Sequence, residues 1–192
     1  GIVYMKLHSF NANANRLFYL AVLDALTRGA GGMVLDLRDN PGGYLEVSVH
    51  LAGWFLPRGT LVVAEATRDG IAEEFRANGN AALQDFPVVI LVNMGSASAS
   101  EILAGTLRES RNIPLVGEKT FGKGTVQQIF PLKDDSSLKL TIARWVLPGG
   151  KELDNEGLTP DYEVERTDED IEAGRDPQLD KAIEILKLEI SK

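Results

Sequence analysis

A chain of 192 residues with 44% hydrophobic and 25% charged content has the composition of a folded globular protein, and no apolar run in it is long enough to cross a bilayer. Zero cysteines exclude disulfides, thiol nucleophiles and Cys-bound metal clusters, and His8 and His50 alone exclude a three-His metal site. The net charge of -8 comes from residues 151–192, with 14 acidic and 6 basic side chains, while residues 1–150 balance at 14 each; neither a broad nucleic-acid surface nor a polybasic membrane patch fits that distribution.

Residues 2–7, 32–37, 87–92 and 114–116 are short apolar runs, and they read as buried strands of a largely parallel sheet. Residues 13–28, rich in Leu and Ala and closed by Gly29, predict the first helix. Asn40-Pro41-Gly42-Gly43 is turn chemistry, after which residues 44–56 predict a second helix ending before Pro57. Residues 61–67 and 71–76 around Arg68-Asp69-Gly70 predict a hairpin, and residues 125–132 and 138–142 around Lys133-Asp134-Asp135-Ser136 predict another. Leu179, Ala182, Ile183 and Leu186 recur at helical spacing, which predicts an amphipathic last helix packed on the body. With no repeat and no linker, residues 1–192 read as one α/β unit with β-hairpin additions, and the acidic segment 151–192 is expected to be solvated and without a catalytic role.

The most informative segment runs from Val88 through Asn93-Met94-Gly95-Ser96-Ala97-Ser98-Ala99-Ser100-Glu101 into Ile102-Leu103. A buried strand enters a turn of small residues and then a helix, so a serine stands at a helix N-terminus, where unpaired N–H groups suit a developing oxyanion. The structural alternative is a capping box, with Ser98 as cap and Glu101 reaching back to it. Spacing does not choose among Ser96, Ser98 and Ser100.

The segment Gly117-Glu118-Lys119-Thr120-Phe121-Gly122-Lys123-Gly124 approaches a phosphate-binding loop, but Gly124 stands where that loop needs Ser or Thr, and strand character follows instead of a helix. Nucleotide binding is therefore not expected. What remains is Lys123 between two glycines: a surface lysine or, drawn into a low-dielectric pocket, a general base able to activate a serine without histidine. Leu35-Asp36-Leu37-Arg38-Asp39-Asn40-Pro41-Gly42-Gly43 places a Gly-Gly turn at the end of a parallel strand, where backbone N–H groups can face a cleft. Asp36 and Arg38 are suited to holding that loop by ionic or backbone hydrogen bonds.

Taken in order, these segments resemble the carboxyl-terminal processing, or tail-specific, serine proteases of peptidase family S41. The resemblance extends to Gly1-Ile2-Val3-Tyr4-Met5-Lys6-Leu7 with Phe10, to Thr120-Phe121-Gly122-Lys123-Gly124-Thr125-Val126-Gln127, and to Pro148-Gly149-Gly150 followed by Gly157-Leu158-Thr159-Pro160-Asp161. It implies a ClpP/crotonase-like α/β core and a Ser–Lys dyad, with Ser98 as nucleophile, Lys123 as general base and Gln127 orienting the lysine. It also implies an oxyanion hole from the N–H of Ala99 and that of Gly42 or Gly43. No cofactor and no metal is implied. The expected partners are protein or peptide substrates cleaved near their C-termini, with oligomers possible for such enzymes and membrane association only through segments outside this chain. The resemblance further implies an extracytoplasmic setting, a periplasm or cell envelope. Family members usually carry a PDZ domain just before the opening strand; it is not in this sequence, which reads as a trimmed catalytic core. The alternative function is a non-proteolytic peptide- or small-ligand-binding module on the same fold.

Overall fold

The computed structural model describes residues 1–133, 136–153 and 156–191. In chain order the elements are β1 (Ile2–Lys6), α1 (Ala14–Thr27), β2 (Gly32–Asp36), α2 (Leu45–Ala52), β3 (Leu61–Thr67), β4 (Gly70–Arg76), β5 (Val88–Val92), α3 (Ala99–Arg111), β6 (Leu115–Gly117), β7 (Thr125–Pro131), β8 (Ser137–Val146), β9 (Tyr162–Glu163), α4 (Asp168–Glu172) and α5 (Pro177–Ile190). Strands β1-β2-β5-β6-β9 form a sheet in that order, and every neighbouring pair is parallel.

Alternation along its central strands divides the apolar side chains between two faces. Met33, Leu35, Val88, Ile90 and Val92 join the larger core with Phe18 of α1, Leu51 of α2 and Ile102 and Leu103 of α3. Val34, Val89, Leu91 and Val116 point the other way and pack on Ala182 and Leu186 of α5. Helices thus cover both faces, as a parallel sheet with five fully buried residues in β2 and in β5 requires.

The two hairpins do more than decorate this unit. They join through β3 and β8 into one antiparallel sheet, ordered β4-β3-β8-β7. Phe75 and Trp145 meet edge to face across it at 5.9 Å, and Thr106 of α3 donates to the Val62 carbonyl at 2.5 Å, tying the second sheet to the first unit. The tip residues Asp134 and Asp135 lie outside the described residues.

The second helix stops earlier than its residues suggest. Gly53 backs onto Gly79 so closely that a side chain on either would collide with the other's backbone. The Ala81 N–H donates to the Gly53 carbonyl at 3.0 Å and the Leu83 N–H to that of Trp54 at 2.8 Å, so a crossing segment takes the acceptors that further helical turns would use. Strand β9 and helix α4 are additional to the elements read from the sequence.

Candidate active site

The site is built where β5 ends and α3 begins. Three serines occupy this turn, and long-range partners separate them. Ser96 is buried; its hydroxyl donates to the Leu37 carbonyl at 2.8 Å and accepts from the Asn93 N–H at 3.0 Å. Ser100 is also buried and donates to the Asn40 carbonyl at 2.9 Å. Both brace the loop after β2 against α3. Ser98 is half-buried and forms a capping box with Glu101: its side chain faces the Glu101 N–H, its own N–H donates to Glu101 Oε2 at 2.9 Å, and its hydroxyl has no long-range partner of the kind that holds Ser96 and Ser100. Its backbone has φ +57° and ψ -117°, a conformation rarely adopted by a residue with a side chain, at a strand-to-helix turn.

The neighbouring Gly-Gly turn fits against this serine only because it lacks side chains. A Cβ on Gly42, whose φ is +96°, would lie 2.7 Å from the Ala97 carbonyl oxygen, 2.9 Å from Ser98 Cβ and 3.0 Å from the Ala99 nitrogen. The two glycines differ in their free donors. The Gly42 N–H is taken by Asn40 Oδ1 at 2.9 Å, and the Gly42 carbonyl accepts from the Phe10 N–H at 2.8 Å. The Gly43 N–H has no partner among the described residues, and neither does that of Ala99, the first residue of α3.

Glu101 is the residue whose importance exceeds what a capping motif conveys. It is fully buried, and its carboxylate accepts four hydrogen bonds. Oε2 takes the N–H groups of Ser98 and Lys123, both at 2.9 Å; Oε1 takes the Thr120 hydroxyl at 2.6 Å and the Gly122 N–H at 2.7 Å. One oxygen shared by the Ser98 and Lys123 amides keeps those backbones no farther apart than the sum of the two bonds. The Phe121 N–H adds a bond to the Ser96 carbonyl at 3.0 Å. Thr120 is itself propped by Leu158, whose N–H donates to Oγ1 at 2.7 Å and whose carbonyl accepts from the Thr120 N–H at 3.1 Å.

Backbones converge here more than side chains do. Lys123 and Gln127 are exposed, and no hydrogen bond joins either side chain to Ser98 or to the other among the described residues. Gln127 lies in β7 opposite Thr141. Asp36 and Arg38 do hold the loop after β2: Arg38 Nη2 meets Asp36 Oδ2 at 2.7 Å, and Nε meets Oδ1 at 3.0 Å, with both residues buried. Burial alone would raise the Asp36 carboxyl pKa, but the hydrogen bonds from Arg38 and Tyr4 outweigh it and hold the group below its ordinary value.

The family model of peptidase family S41 matches residues 1–164. A carboxyl-terminal-processing protease of Synechocystis sp. is 41% identical over 186 residues, covering 95% of this chain and 43% of the relative. The carboxy-terminal processing protease CtpA of Bacillus subtilis is 37% identical over 164 residues, covering 85% and 35%. Among solved structures, a photosystem II D1 C-terminal processing protease superposes with a TM-score of 0.80 at 37% identity, covering 85% of this chain and 42% of that one. The chain therefore spans less than half the length of these relatives. The tricorn protease, at 20% identity and a TM-score of 0.65, shares the fold. With its mixed α/β architecture, its largely parallel sheet and a family match over most of its length, the chain belongs to peptidase family S41.

Proposed function

We propose that this chain is the catalytic core of a serine endopeptidase that cleaves protein substrates near their C-termini, in a compartment outside the cytoplasm, through Ser98 and Lys123. The observation that carries the reading is Ser98 itself. It is the serine of its turn whose hydroxyl makes no long-range bond to the loop after β2, and it stands at φ +57°. The N–H groups of Ala99, next in sequence, and of Gly43, next to the Gly42 that abuts Ser98, are without partners among the described residues. Two such donors beside a nucleophile are what an acyl-transfer transition state requires.

In this mechanism the Lys123 side chain turns toward Ser98, a short swing because Glu101 holds the two backbones together. Substrate covering the site excludes water and favours the neutral amine. Lys123 accepts the Ser98 proton as Oγ attacks the scissile carbonyl, and the oxyanion settles between the Ala99 and Gly43 amides. The lysine then protonates the leaving amine. Water deacylates the serine by the same route. Gln127 is the group proposed to orient Lys123 from β7.

Labelling with a fluorophosphonate probe and cleavage of an unstructured peptide test this reading. The wild-type chain should form one covalent adduct, located at Ser98 by peptide mass spectrometry. Ser98→Ala should remove both adduct and cleavage, and Lys123→Ala should lower cleavage at least about 10³-fold. Full activity in either variant overturns the assignment. Peptide binding without cleavage by the wild-type chain would mark a binding module instead.

A further inference from the structure

The acidic C-terminal segment reaches the proposed site through a buried polar network. Arg38 is 5% exposed and Gln178 1% exposed. Beyond its pairing with Asp36, Arg38 donates from Nη1 to Asp176 Oδ1 at 2.9 Å and to Gln178 Oε1 at 2.8 Å, and from Nη2 to Asp176 Oδ2 at 2.9 Å. Asp176 is also the N-cap of α5, accepting the Leu179 N–H at 3.0 Å, and lies 3.6 Å from Arg166. Gln178 turns its amide nitrogen the other way, donating to Glu118 Oε1 at 3.0 Å and to the Val164 carbonyl at 2.8 Å.

These partners begin the two loops that meet at Ser98. Arg38 leads into Asp39-Asn40-Pro41-Gly42-Gly43, and Glu118 leads into Lys119-Thr120-Phe121-Gly122-Lys123. We propose that Asp176 and Gln178 are positioning residues: the first turn of α5 clamps the bases of both loops, setting the Gly43 amide on one side of Ser98 and Lys123 on the other. A loop whose base slips by about an ångström costs rate more than it costs binding, because the donors then miss the developing charge. The family match ends at residue 164, short of α5. The inference deepens the peptidase reading and depends on it for its catalytic half; its structural half can be measured without activity.

Asp176→Asn and Gln178→Leu supply the test. Asparagine caps a helix as well as aspartate does, so Asp176→Asn removes the charge facing Arg38 and keeps the cap. In the full chain, amide hydrogen exchange over residues 39–43 and 118–123 should quicken about tenfold or more in both variants, while β5 and α3 keep their protection. Peptide kcat should fall on the order of ten- to a hundredfold with KM changed less than about twofold. Unchanged exchange in the two loops, or quickening spread evenly over the chain, overturns the clamp whether or not the protein cleaves peptides. A wild-type chain that cleaves nothing and labels at no serine overturns the peptidase reading, and the exchange result still decides the clamp.

Discussion

Four donors converge on the Glu101 carboxylate from residues 98, 120, 122 and 123. A neutral amide of the same shape can accept at only one end, so Glu101→Gln sets an NH2 group against backbone N–H donors. Urea unfolding should record a loss of about 1–3 kcal/mol, and peptide cleavage should fall as the Lys123 loop drifts from Ser98. A variant as stable and as active as the wild type would remove Glu101 from its central place. This residue was legible in sequence only as the fourth member of Ser-Ala-Ser-Glu. A capping box is a local pattern, whereas three of the four donors arrive from a loop some twenty residues away. The same limit applies to the serines: three in five positions are equivalent in sequence, and Leu37 and Asn40 separate them in space.

Elements follow their burial. Helix α3 is buried from Ala99 through Leu107, so Leu103→Ala, at a residue with no exposed surface, should cost about 2–5 kcal/mol in urea unfolding. Strand β8 is the contrast. Leu138, Leu140 and Ile142 are 46%, 44% and 41% exposed, and Leu140→Lys should stay within about 0.5 kcal/mol of the wild type in the same measurement. The apolar runs of β1, β2, β5 and β6 and the periodicity of α1 and α5 were readable because each carries its own signal. The shortened α2 was not, because its end depends on Gly79 arriving beside Gly53. Nor was the joining of two hairpins into one sheet, which depends on a β3–β8 pairing that no local motif encodes.

At the scale of the molecule, one ionic network joins β1, β2 and the segment leading into α5, and it should leave its mark on pH stability. The carboxyls of Asp36 and Asp176 are held below their ordinary range, in each case by hydrogen bonds that outweigh the effect of burial. Their contribution is present above an unfolded value of about 3.9 and is lost as pH falls through the lower folded values. Tyr4, whose hydroxyl donates to Asp36 at 2.6 Å, moves the other way. Burial, then the bond to Asp36 and its charge, push its pKa up to about 12. Its contribution is full below an unfolded value of about 10 and fades as pH rises toward 12. Tm measured from pH 9 to 12 should therefore fall less steeply for Tyr4→Phe than for the wild type; parallel curves would contradict the assignment.

The reach of this network also bears on how the protein is made. Arg38 and Asp176 are 138 residues apart in the chain, so a ribosome delivers Ser98 and Lys123 well before the residue that closes the clamp. The loops after β2 and β6 therefore emerge before the partner that ties their bases, and the bonds from Arg38 to Asp176 form only once α5 has been made and docks.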